Sequence, residues 1–183
     1  MNKKNIHFIT TAGIIAAIYI VLVLFLKPIS SGDIQCRIAE ALTILPYFTP
    51  AAIPGLTIGC FFANYFSGNI PLDIFLGTFA TFIASVFSYK LRKYKYLVGI
   101  PPVISNTIIV PFILIYGYGL KFDDIILFNK LSEMFHLPNS MFLLYIIIAF
   151  TIFVGEFISA YILGTILLKA LEPYSNLFKN TNE

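Results

Sequence analysis

A small set of polar side chains stands out because most of this chain is apolar: Arg37, Glu40, Tyr47, Asn64, Asp73, Asn106 and Glu156. Glu156 lies mid-way along the last apolar run, beside Gly155 and aliphatic residues. An ionisable group at membrane depth costs about 3 kcal/mol on insertion scales and is a functional candidate by default. It reads either as a ligand contact or as a carboxyl that ties two helices together. Arg37 and Glu40 are three residues apart and share a helix face; they either pair with each other or line the mouth of a pocket. Asn106 carries an amide that must find partners when buried, on a neighbouring helix or on a ligand. Asn64 suits a hydrogen bond between helices and Asp73 a helix N-cap, and both are also candidates for the site. Tyr47, Phe48 and Tyr145 supply rings. A carboxylate, an amide, a guanidinium and aromatic faces together suit a planar, hydrogen-bonding heterocycle.

Reactive chemistry is not encoded in recognisable form. H-E-x-x-H is absent, and the two histidines, His7 and His136, fall at the edge of a span and in a polar segment, so no hydrolytic constellation forms at membrane depth. The chain reads as a non-enzyme with no metal and no cofactor of its own. The phosphate-binding pattern G-x-x-x-x-G-K-[ST] is also missing, so this chain cannot energise transport with ATP alone. Cys36 and Cys60 have no metal-ligand spacing and read as small apolar fillers without a disulfide.

The elements that must hold these groups follow from composition. The 183 residues are 58% hydrophobic and 11% charged, with a mean hydropathy of +0.88, whereas soluble domains carry roughly 25% charged residues. The bilayer is the solvent this composition demands. A net charge of +3 is too small to indicate nucleic acid. Apolar runs cover 6–26, 37–45, 55–66, 74–89, 96–119 and 141–168, with proline-bounded breaks around 46–54. The first run ends without a small-residue cleavage site and reads as a span rather than a signal peptide. The expected fold is therefore an all-α integral membrane protein, a single domain over 1–183, with six transmembrane helices. Basic residues concentrate on one side of that arrangement, at Lys3, Lys4, Lys90, Arg92, Lys93 and Lys95, which places both termini in the cytoplasm.

Two further segments carry alternatives. Ala12-x-x-x-Ala16, with Gly13-x-x-x-Ala17 one step on, permits close helix approach, either inside the chain or against a partner. Residues 122–137 read either as an interfacial helix or as a lid over a pocket. No internal repeat is found, which weighs against a solitary secondary transporter of a small heterocyclic solute, a class that often shows inverted repeats with paired broken helices.

The runs RIAEALTILP over 37–46, TPAAIPG over 49–55, GCFFAN over 59–64 and DIFLGTFAT over 73–81 resemble the QueT family. These are the substrate-binding S-components of energy-coupling factor (ECF) transporters. The resemblance implies six helices with cytoplasmic termini and import of a queuosine precursor, the aminomethyl deazaguanine base prequeuosine or queuine. It also implies a transmembrane T-component and two cytoplasmic ATPase subunits as partners in the cell membrane, with the Ala12 and Ala16 face docking on the T-component. It favours Arg37, Glu40 and the outer segment as parts of the site.

Overall fold

The computed structural model describes residues 3–27, 37–121, 124, 125 and 140–181. It is helical over most of these residues. Helix α1 (Lys3–Leu26) is followed by a 3-10 helix (Ile38–Tyr47), then α2 (Ala52–Phe66) and α3 (Pro71–Lys90). Two short 3-10 turns lead into α4 (Ile100–Phe112), which widens into a π-helix (Ile113–Gly117). Helix α5 (Met141–Glu156) likewise passes through a π-helical stretch (Phe157–Leu163) into α6 (Gly164–Leu171), and a 3-10 helix (Glu172–Thr181) closes the described chain.

The expectation of six transmembrane helices with both termini cytoplasmic is corrected here. Among the described residues, four continuous helical segments are long and apolar enough to cross a bilayer: Lys3–Leu26, Pro71–Lys93, Lys95–Gly117 and Met141–Asn176. Ile38–Tyr47 has 10 residues, about 20 Å at a 3-10 rise. Ala52–Phe66 has 15, about 22 Å at an α-helical rise. Both fall short of a hydrocarbon core roughly 30 Å thick. The helix that opens at Lys3 is itself one of these membrane-length segments.

Proline explains why the second segment is short and tightly wound. Pro46 lies inside it, and Pro50 and Pro54 follow; each lacks the N–H an α-helix would use. Its ends are closed by short-range bonds, from Glu40 N–H to the Arg37 carbonyl at 2.9 Å and from Phe48 N–H to the Leu45 carbonyl at 2.9 Å. A 3-10 run of this length is uncommon. Burial holds it in place, since every residue from Ala39 to Pro46 is buried.

Helices α1 and α2 pack at van der Waals limit. A Cβ added at Gly55 would lie 2.8 Å from the Ala12 carbonyl, and one at Gly59 would lie 3.1 Å from Ala16 Cα. Both sets of numbers ascend together, so the two helices run parallel, with the 3-10 helix between them in the chain. Ala12 and Ala16 are thus internal packing in this structure, covered by α2, while Gly13 on the next face meets nothing within 4 Å. One apolar core gathers around the 3-10 helix, from Tyr19, Ile44, Leu56 and Cys60 to Leu168; a second joins Ile115 to Leu144, Ile148 and Ile152. On the outside, Phe25, Phe142 and Phe75 are 80%, 73% and 66% exposed, as suits a surface wetted by lipid rather than water.

Candidate functional site

Three hydrogen-bonded groups of polar side chains meet where the 3-10 helix passes between the longer helices. The first holds Glu156, at the end of α5 where its π-helical stretch begins. It is 3% exposed, and its Oε1 accepts from the Asn106 amide of α4 at 2.9 Å. The second is Glu40, 1% exposed, whose Oε1 accepts from the Tyr19 hydroxyl of α1 at 2.6 Å. The third starts at Arg37, whose guanidinium donates to Asn64 Oδ1 at 3.1 Å. Asn69 extends it, donating to Asn64 Oδ1 at 3.2 Å and to Asp73 Oδ2 at 2.9 Å. Tyr118 completes it with a 3.0 Å bond to the same Asp73 oxygen. Partial burial, then the charge of Asp73 and its hydrogen bond, push the Tyr118 hydroxyl up to about 12, so it is a donor at neutral pH.

Arg37 and Glu40 leave the same end of the 3-10 helix, and that helix packs against the π-helical stretch that begins just after Glu156. The local causes are legible. The Pro46-terminated helix sets Arg37 and Glu40 at its opposite, free end. Pro111 lacks an N–H, and the wide π turns that follow it and follow Glu156 let the backbone re-aim side chains, a pattern frequent at functional sites.

Among the described residues, four buried side-chain polar atoms lack a partner: Glu40 Oε2, Glu156 Oε2, Ser67 Oγ and Thr107 Oγ1. Two of the four belong to the carboxyls just described. Buried polar groups are normally satisfied, and an orphaned carboxyl oxygen is the most costly kind to leave so. The arrangement can therefore accept N–H or O–H donors that the described residues do not supply.

The expected site residues are largely brought together, with revisions. Arg37 and Glu40 do not pair with each other; each is turned to another helix. Asp73 is not an N-cap: Ile70 holds that position without a side-chain bond and Pro71 opens α3, leaving the Asp73 carboxylate to Asn69 and Tyr118. Tyr47 ends the same 3-10 helix about 20 Å from Arg37, with its ring edge-on to Phe48 at 4.9 Å, away from the cluster. Tyr145 is spent on the Ile108 carbonyl at 2.6 Å. Cys60 is free and buried, receiving the Thr81 hydroxyl at 3.3 Å. Cys36, His136 and most of 122–137 lie outside the described residues. Sequence reasoning missed Tyr19, Asn69 and Tyr118. Tyr19 had a usable signal: a tyrosine inside an otherwise apolar span needs a partner for its hydroxyl.

A cleft of about 70 Å³ opens on this region, lined by Leu22, Val23, Lys27, Arg37, Ala39 and Asn69 among others. A groove of about 420 Å³ between α3 and α4 is lined almost wholly by apolar side chains such as Ile83, Phe87, Ile104 and Ile108. It has the size of a small-molecule site but Ser105 alone as a polar lining residue, and its lining is that of a lipid-facing surface.

The family described as QueT transporter matches residues 9–173. A curated relative, "Queuosine precursor transporter QueT" of Lactococcus lactis subsp. cremoris (strain MG1363), is 34% identical over 85 residues, covering 45% of this chain and 50% of the relative. The aligned part thus spans about half the relative's length. No solved structure is a significant match.

Proposed function

The chain belongs to the QueT transporter family, and on that premise we propose that it is the S-component of an ECF transporter that captures a queuosine precursor. It is a multi-pass membrane protein with a transport role and not an enzyme. The finer reading is that a deazaguanine, the prequeuosine base or queuine, enters past Arg37 and is held by Glu40, Asn64, Asp73, Asn106 and Glu156. A T-component and two cytoplasmic ATPase subunits then supply the driving force.

The observation that carries this reading is the pair of buried carboxyls, each tied through one oxygen and open at the other. The edge of a deazaguanine presents the N–H donors such oxygens lack, and a buried carboxyl left unsatisfied is destabilising unless a ligand completes it. Small-molecule sites usually exceed about 300 Å³, so the cleft at Arg37 must widen to admit the ring.

The test is direct. The purified full chain in detergent is titrated with the prequeuosine base and with queuine by calorimetry, and ligand carried through purification is identified by mass spectrometry. Saturable binding of either base supports the assignment. Indifference to both, with the protein folded, sinks it.

A further inference from the structure

Lys90, Arg92 and Lys93 are exposed where α3 gives way to a 3-10 turn, at the end of a membrane-length segment. No Asp or Glu lies between Asp73 and Asp123 in the sequence. The ion pair at this end joins Lys95 to Glu172 at 2.6 Å; among the described residues Lys90, Arg92 and Lys93 have no carboxylate partner. Three cations thus stand together without counter-charge at the boundary of the bilayer, where lipid phosphates lie.

The apolar groove between α3 and α4 opens at the same end. Leu91, between Lys90 and Arg92, lines it together with Phe87 and Ile100. The Lys90 ammonium lies over the Phe87 ring, 5.4 Å from its centroid, so one cation rests on the wall of the groove itself. The Arg92 guanidinium lies over the Tyr89 ring at 4.2 Å. A cation–π contact holds that side chain and leaves its fork of N–H donors for an oxyanion. From Leu91 back to Ile83 along α3 the groove runs about 12 Å from the basic turn. Ser105 is its one polar lining residue, and apolar space of this kind is not filled by water.

We propose that the groove and the basic turn together seat one anionic phospholipid, its phosphate held by Lys90 and Arg92 and an acyl chain laid between α3 and α4. Cations and groove lie on one continuous path, and that selects a lipid. A soluble anion would match the cations and leave the groove empty. A partner helix would match the groove and leave the cations without an anion. The seat is independent of which solute the chain captures.

The chain contains no tryptophan, so Phe87→Trp places a single indole on the groove wall and keeps an aromatic ring beneath Lys90. Ile166→Trp is the control: Ile166 is 59% exposed, on α6 and one turn before Lys169, and reports attraction to a basic residue without the groove. Each full-length variant is reconstituted in phosphatidylcholine vesicles in which a minor component, phosphatidylglycerol or phosphatidylcholine itself, carries brominated acyl chains that quench indole fluorescence on contact. Phe87→Trp is expected to favour the anionic lipid about 20- to 30-fold, as two basic residues at a lipid surface imply, and Ile166→Trp about fivefold or less, as one implies. Adding Lys90→Gln and Arg92→Gln to Phe87→Trp should lower its preference to that of Ile166→Trp. Ile104→Trp, at a position 53% exposed in the same groove, gives a second reporter should Phe87→Trp fail to fold. Equal preference at groove and control would mean general attraction to the surface and overturns the seat. So does a preference that survives loss of both cations. Weak quenching of both groove reporters by either lipid would mean that another helix covers the groove, and overturns it too.

Discussion

The Asn106 amide donates to Glu156 Oε1 at 2.9 Å across fifty residues of sequence, while the second oxygen of the same carboxyl has no partner. One bond satisfies the need to tie α4 to α5; the open oxygen is more than that tie requires. The two readings of Glu156, interhelical contact and ligand contact, thus apply to different atoms of one side chain.

Glu156→Gln should weaken binding of an aminomethyl deazaguanine by about 10- to 100-fold, the range for a hydrogen bond to a charged group. Asp124→Asn, whose carboxylate accepts from the Lys121 N–H at an exposed turn, is the control and should change affinity less than about twofold. Calorimetry on the two purified variants decides it. Equal losses would remove Glu156 from the site.

Tyr19→Phe deletes the donor to Glu40 and leaves that buried carboxyl without its one hydrogen bond. The expected loss in stability is about 1–2 kcal/mol, the upper end for hydrogen bonds inside membrane proteins. Thermal melting in detergent measures it. An unchanged midpoint would mean that the Tyr19 hydroxyl is not holding Glu40 in place.

Gly59→Ala and Gly13→Ala should move stability in opposite directions. A methyl at Gly59 meets Tyr19 Cβ at 3.0 Å and Ala16 Cα at 3.1 Å, and overpacking of this kind costs about 1–3 kcal/mol. Gly13 has open space around it, and alanine there should add roughly 0.5–1 kcal/mol through helix propensity. The same melting assay separates them. A neutral Gly59→Ala would argue against the tight parallel packing of α1 on α2.

Cys60 should resist thiol reagents until the chain unfolds, because it is 1% exposed between α1, α2 and α3. In a Cys36→Ser background, a membrane-permeant maleimide is expected to label only denatured protein. Rapid labelling under native conditions would place Cys60 at an open surface.

Part of the site was legible before any coordinates. Glu156 and Asn106 are polar residues stranded in long apolar runs, and the cost of burying them marks them individually. Their partnership is not legible, nor is that of Arg37 with Asn64, since spacing along one helix says nothing about which residue of another stands opposite. Arg37 and Glu40 illustrate the failure: three apart on one face, they invite a local pair, yet Asn64 and Tyr19 take them instead. Asp73 shows the same thing at a helix start, where Pro71 settles the cap and frees the carboxylate for Tyr118.

The sequence by itself determined that the bilayer is the solvent, because transfer free energy is nearly additive along a chain and an uncharged run of twenty residues is visible in one dimension. It also marked where proline must interrupt that run. Only the tertiary structure decided that the segments at Ile38–Tyr47 and Ala52–Phe66 are too short to span. It alone decided that Ala12 and Ala16 face α2, and that two buried carboxyls are tied to other helices, Glu40 to Tyr19 and Glu156 to Asn106. Those outcomes depend on how helices cross and what each leaves unsatisfied, and crossing geometry is a property of pairs of elements rather than of any one of them.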